Sequence, residues 1–189
     1  LNKKCILIIG GARSGKSRFA LELAAGSDKP VLFVATATAG DDEMKQRIER
    51  HQKERPADWS TLEVTTDVSN HIRKEIGRSR TVVLDCVTLL LNNIFNDCSY
   101  QTGPQNEAVI EEKVAREVNS LIECIRDTDA SFIIVTNEIG LGLVPADRVS
   151  RLYRDLLGKV NQTLARCADE VYLMVAGLPV RVTPPNPTS

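Results

Sequence analysis

Residues Gly10-Gly11-Ala12-Arg13-Ser14-Gly15-Lys16-Ser17 match the pattern G-x-x-x-x-G-K-[ST] at every fixed position. In such a stretch the glycines permit a tight turn whose successive N–H groups converge on phosphate oxygens. Lys16 brings a cation to the β- and γ-phosphates, the Ser17 hydroxyl can ligate Mg²⁺, and the helix that follows presents its N-terminus to the same anion. The flanks agree: the apolar run Cys5–Ile9 reads as a strand, and Lys16–Ala25 reads as a helix. The chemistry implied is the binding of a nucleoside triphosphate, and the pattern by itself says no more. A metal partner is offered by Asp85, which closes the apolar strand Thr81–Asp85. Its alternative role is to cap the next helix. Asn137 and Glu138 follow Phe132–Thr136 and form another polar pair at a strand's carboxyl end, the edge where open α/β sheets bind ligands. No N-K-x-D motif is present, which disfavours a guanine-reading regulatory switch.

A second candidate lies in Asp42–Arg55, a charged stretch that starts with acidic residues and stops before Pro56, as a helix does. Arg47, His51 and Arg55 recur there at i, i+4, i+8 and so share one face. A histidine on a charged helix is ordinarily just solvated. Among cations able to neutralise phosphate oxygens, however, a neutral imidazole is also a nucleophile toward phosphorus near neutral pH. The other histidine, His71, reads as a surface or core filler in an ordinary amphipathic stretch.

The elements that must position these groups follow from patterning. Strands are expected at Cys5–Ile9, Val31–Ala35, Leu62–Val64, Thr81–Asp85, Phe132–Thr136, Val171–Val175 and Val180–Val182. Several are apolar throughout, as strands covered on both faces are. Helices fall between them at Lys16–Ala25, Asp42–Arg55, Gln105–Asp127 and roughly 146–168, while Val87–Phe95 is apolar on nearly every side. That last segment reads either as a fully buried helix or as a subunit interface. Asn96–Pro104 reads as a loop. Such alternation predicts an α/β fold with an open, mainly parallel sheet and helices on both faces.

With 189 residues the chain is expected to form one catalytic domain over 1–182, followed by a frayed, proline-rich tail over 183–189. Apolar residues at 42% and charged residues at 26% exclude wholesale disorder, and a net charge of −1 argues against a nucleic-acid binder working through bulk positive field. No run is long and apolar enough to span a membrane. The five cysteines form no C-x-x-C pair, so a reducing, cytoplasmic location is expected.

Taken together, several ordered motifs resemble the bifunctional adenosylcobinamide kinase/adenosylcobinamide-phosphate guanylyltransferase family of cobalamin biosynthesis. They are G-G-A-R-S-G-K-S (10–17), V-A-T-A (34–37), D-D-E-M (41–44), R-I-E-R-H (47–51), R-P-A-D-W (55–59), V-T-N-E-I-G-L-G-L-V-P (135–145) and G-K-V-N-Q (158–162). The resemblance runs to about Val182. It implies a P-loop NTPase with a RecA-like sheet and two reactions. First, ATP or GTP phosphorylates adenosylcobinamide. Then GTP guanylylates a histidine, which falls on His51, and GMP passes to the corrinoid phosphate to give adenosylcobinamide-GDP. Lys16 and His51 would be the catalytic residues, and Ser17 and Asp85 would hold Mg²⁺. Nucleotide contacts would fall on Gly10, Gly11, Ala12, Arg13, Ser14, Gly15, Lys16, Ser17, Ala35, Thr36, Ala37, Gln52, Lys53, Glu54, Arg55, Glu63 and Asp85. Gln52 departs from the pattern, since many members carry a base there. The base of the kinase step is not legible, with Glu138 as its candidate. A homotrimer is implied as well. The rival readings are a monofunctional small-molecule kinase and a RecA-like nucleotide-dependent switch.

Overall fold

The computed structural model describes residues 3–37, 45–46, 52–53, 55–98 and 104–182, with the side chains of 104 and 105 outside that description. Strands β1 (Cys5–Gly10), β2 (Val31–Ala35), β3 (Ser60–Glu63), β4 (Thr81–Asp85), β5 (Ser131–Asn137), β6 (Glu170–Val175) and β7 (Leu178–Val182) form one sheet in the order β3-β2-β4-β5-β1-β6-β7. All pairings are parallel except the β6–β7 hairpin. The helices are α1 (Lys16–Ala25), α2 (Val68–Glu75), α3 (Val87–Cys98), α4 (Pro104–Asp127) and α5 (Arg148–Cys167).

Because β2, β4 and β5 are covered on both faces, alternate residues feed two separate cores. Leu32, Val34, Val82, Leu84, Phe132 and Ile134 pack against α2, α3, α4 and α5. Val31, Phe33, Val83, Ile133 and Val135 pack on the opposite face with Ala20 and Ala24 of α1 and with Trp59. The small residues on α1 let that helix lie close to the sheet, which sets how near its N-terminus comes to the strand ends. α2 begins where the Glu117 carboxylate of α4 accepts from the Asp67 and Val68 N–H groups at 3.0 and 2.8 Å. α5 is capped by Asp147, whose Oδ1 accepts from Ser150 N at 2.8 Å. That hydrogen bond holds the Asp147 carboxyl below the usual carboxylate range.

α3 decides between the two readings of Val87–Phe95. Val87, Leu90, Leu91, Ile94 and Phe95 are buried in the chain's own core, and Leu89 packs against the α1-side cluster. Its apolar character therefore serves the fold and gives no support to a subunit interface. Truncating Leu90 or Leu91 to alanine is of the class that costs about 2–5 kcal/mol. The expected loop at Asn96–Pro104 is also shorter, since α3 continues through Cys98 and α4 starts at Pro104. Of the expected helix Asp42–Arg55, residues 45–46 and 52–53 are helical and Arg55 sits in a bend. His51, Arg47 and Glu54 lie outside the described residues. His71 is half-buried on α2, its ring Nδ1 2.9 Å from the Asp67 carbonyl. Among the described residues no helix is long and apolar enough to cross a membrane.

Candidate active site

The glycine-rich turn begins where β1 stops. Ser14 N–H donates to Gly11 O at 3.3 Å, and Gly15, at φ +93°, turns the chain into α1. Behind it lies the β6–β7 hairpin, whose two-residue turn Ala176-Gly177 has positive φ at both positions, the type I′ geometry that suits strand twist. Gly177 N–H donates to Ser14 O at 3.1 Å. A Cβ on Gly15 would lie 3.2 Å from Gly177 Cα, so the two glycines let hairpin and turn touch. The hairpin, next to β1 in the sheet, thereby buttresses the turn.

Inside the turn, Lys16 is buried, and its Nζ donates to Gly11 O at 2.6 Å. Among the described residues the Ser14 hydroxyl is buried without a hydrogen-bond partner. Ser17 is half-buried one residue further on, while Gly11, Ala12 and Arg13 stand exposed at the lip. A buried hydroxyl lacking a partner is costly and calls for an explanation.

Across the sheet edge, β4 delivers Asp85, half-buried, and β2 delivers Ala35 and Thr36, both buried, then Ala37. Thr36 joins these two strand ends: its Oγ1 donates to Cys86 O at 2.7 Å and accepts from Cys86 N at 2.9 Å. The Thr36 hydroxyl is thus engaged in architecture, and so is its N–H, which donates to Asp85 O at 3.2 Å. Asn93 of α3 reinforces the joint from below, donating to Thr36 O at 2.9 Å and Thr65 O at 3.0 Å. Cys86 lies within the fields of both Asp85 and Lys16, and burial pushes its thiol up to about 12.

Arg55 completes the edge. Its guanidinium stacks 3.8 Å from the Phe33 ring centroid, and among the described residues its Nε and one Nη are buried without acceptors. Burial pulls its pKa down while the nearby Asp85 and Glu63 carboxylates act in the opposite sense. Glu63, exposed at the end of β3, accepts from Gln52 Nε2 at 2.9 Å, and Lys53 is exposed beside it in sequence. The structure therefore gathers Gly10–Ser17, Ala35–Ala37, Gln52, Arg55, Glu63 and Asp85 along one carboxyl edge of the sheet. The donor set is a fork of N–H groups, a lysine and an arginine, which suits a polyphosphate.

Residues 6–182 match the family model described as cobinamide kinase / cobinamide phosphate guanyltransferase. The chain belongs to that family. It is 40% identical over 179 residues to the bifunctional adenosylcobalamin biosynthesis protein CobU of Escherichia coli (strain K12), covering 94% of this chain and 98% of the relative. The bifunctional adenosylcobalamin biosynthesis protein CobP of Pseudomonas aeruginosa is 42% identical over 174 residues, covering 92% and 94%. The crystal structure of the RadB recombinase shares the fold with a TM-score of 0.50, covering 90% of this chain and 73% of that one. At 15% identity that likeness speaks for a RecA-type P-loop architecture alone. The sheet is accordingly α/β, mostly parallel and covered on both faces, in agreement with the sequence.

Within this family frame, the polar groups that sequence reading passed over are those beneath the edge. Asn93, Thr88 and Asn161 are buried polar residues on helical faces that otherwise feed the core. An asparagine or threonine interrupting an apolar stripe is the signal that marks them, because such a group is kept only where it has partners. Glu138, the candidate base, turns its carboxylate onto the Gly140 N–H of its own loop.

Proposed function

We propose that this chain phosphorylates adenosylcobinamide with ATP or GTP and then transfers GMP from GTP, through His51, to give adenosylcobinamide-GDP. The observation that carries this reading is the set of buried donors without acceptors, Ser14 Oγ and two nitrogens of Arg55, at one sheet edge. Ser14 lies in the loop that leads into Lys16 and Arg55 lies near Asp85, in a chain of a family described by both reactions. In this reading Lys16 leaves Gly11 O for the β- and γ-phosphates, the turn N–H groups bind the same oxygens, and Arg55 meets charge from the β2 side. A carboxylate, Glu63 or Asp85, can accept from a guanine's N1–H and N2 amine, and Glu63 is the one free to do so where Asp85 holds the metal.

Ser17 and Asp85 supply two hard oxygen donors, and no cluster of three or more His, Cys, Asp or Glu exists among the described residues. That fits Mg²⁺ held by one hydroxyl and one carboxylate, with the substrate's phosphates completing its shell. When bound, the ion would neutralise phosphate charge.

For the second reaction, an imidazole nitrogen of His51 bonds to the α-phosphorus of GTP as pyrophosphate leaves with the electron pair of the broken bond. The corrinoid phosphate oxygen then displaces the imidazole and forms the diphosphate. The covalent step allows two bulky substrates to visit one site in turn. The segment that carries His51 moves between the two reactions in this scheme. Assembly as a homotrimer belongs to the same proposal. Its support is the exposed Leu141, Leu143, Val144 and Val149 rather than α3. Intact-mass and peptide spectrometry after exposure to GTP tests the central point: a GMP adduct on His51 is expected, absent in His51→Ala. Wild-type protein that turns over corrinoid yet never carries the adduct overturns the covalent route.

A further inference from the structure

β5 runs between the strand that opens the glycine-rich turn and the strand that ends in Asp85. Gly10 is the register partner of Asn137, and Asp85 is that of Val135. A triphosphate held by Gly10–Ser17 with its outer phosphates toward Asp85 therefore passes over the end of β5. Pleating decides which side chain it meets. Ile133 and Val135 lie in the α1-side cluster, whereas Phe132 and Ile134 belong to the opposite one. Thr136, on that opposite side, donates its hydroxyl to Asn161 Oδ1 of α5 at 2.8 Å. Asn137 is next in the alternation and falls on the α1 side, where the turn delivers its phosphates. Glu138 falls on the other.

The main chain of Asn137 is held at both ends. Its N–H donates to Thr88 Oγ1 of α3 at 2.8 Å, and its carbonyl accepts from Asn161 Nδ2 at 2.9 Å. Thr88 is itself tied to α5, because its carbonyl accepts from the Tyr153 hydroxyl at 2.8 Å. The next N–H, of Glu138, donates to Gly10 O at 2.9 Å. Asn161 is 6% exposed and Thr88 8%, so neither anchor is a solvated side chain free to wander. Every hydrogen bond described for Asn137 thus runs through its main chain, and its half-buried amide is left to face the contents of the turn.

We infer that the Asn137 side-chain amide donates to a γ-phosphoryl oxygen of the bound triphosphate during transfer, with Thr88 and Asn161 as its positioning residues. This deepens, and rests on, the kinase half of the function proposed above. In that step the acceptor hydroxyl oxygen bonds to the γ-phosphorus as the bond to the β–γ bridging oxygen breaks. The electron pair leaves on the nucleoside diphosphate, and the hydroxyl proton passes to water. Asn137 gives up neither proton nor electrons; it stabilises charge on the equatorial oxygens. A preorganised donor aimed at such charge is worth roughly a hundred- to a thousandfold in rate.

The test compares Asn137→Ala, Thr88→Val and Thr88→Ser with wild type, using cobinamide and ATP for the kinase step. Asn137→Ala leaves both main-chain bonds in place, so its kcat is expected to fall about a hundredfold with nucleotide KM changed only a few-fold. Its loss in phosphorylation should exceed its loss in GMP-adduct formation at least about tenfold, because the adduct forms at the α-phosphorus. Thr88→Val should lower kcat about tenfold, and Thr88→Ser should restore it by supplying the same acceptor. Asn137→Ala within about threefold of wild type, or falling equally in both reactions, overturns the inference. So does Thr88→Ser as slow as Thr88→Val when both melt with wild type. A wild type that phosphorylates no corrinoid overturns the kinase reading and this inference with it. A working wild type beside an indifferent Asn137→Ala overturns this inference alone.

Discussion

The guanidinium of Arg55 combines a ring stacked beneath it, two carboxylates beside it and two nitrogens that find no acceptor. Stacking and fork geometry belong to arginine and are not reproduced by an ammonium group. Arg55→Lys should therefore weaken GTP binding nearly as much as Arg55→Ala, each by about ten- to a hundredfold, the worth of one or two charge-assisted hydrogen bonds. Calorimetric titration of the purified variants checks this, and lysine at wild-type affinity would mean that charge alone is used. The glycine-rich turn was legible because its chemistry sits in consecutive residues. Asp85 was legible because a carboxylate ending an apolar strand is conspicuous. The stack of Arg55 on Phe33 and the Thr36–Cys86 joint were not: the second follows from the β2–β4 register, and the first pairs a strand residue with one in a bend 22 positions on.

Strands and helices were easier to read than their boundaries. Val31–Ala35, Thr81–Asp85 and Lys16–Ala25 appear with the bounds that patterning predicts. α3 outruns its apolar segment because Asn96, Asp97 and Cys98 continue the helix past the core it serves. What patterning could not convey is why Asn93 interrupts that segment. The α3 helix is a clamp as well as a core element: the Asn93 amide closes on two carbonyls, Thr36 O and Thr65 O, that follow β2 and β3. Asn93→Leu would add apolar volume in a 7% exposed position yet strand both acceptors. Thr36 is fully buried while Thr65 is exposed, so the penalty falls on the Thr36 carbonyl, it outweighs the gain, and the variant should lose about 1–3 kcal/mol. Urea denaturation measures it, with an unchanged or raised midpoint as the contrary result.

At the scale of the whole molecule, the exposed large apolar side chains of the described residues gather in two places, the β6–β7 hairpin (Val175, Leu178, Val180 and Val182) and, more exposed, the connection from β5 to α5. Leu141, Leu143, Val144 and Val149 are 87%, 96%, 67% and 56% exposed, all in or just after the connection from β5 to α5. Scattered apolar side chains are ordinary on a protein surface, but a cluster within a single connection marks a contact face. Beside it runs a groove of about 380 Å³ whose lining includes Phe95, Ile139, Pro145 and Tyr153. In a closed ring of three, the patch on one protomer meets a different surface on the next, so one disrupted patch breaks every contact at once. Leu143→Asp should therefore convert the proposed trimer into monomers by light scattering, with circular dichroism and triphosphate affinity retained because β1, α1 and β4 are untouched. If the variant remains trimeric while its KM for cobinamide rises, the connection serves the acceptor substrate instead, and the ring must close through the exposed edge strand β7 or another face. Wild type that runs as a monomer at every concentration removes the trimer from the proposal and leaves the site on a single chain.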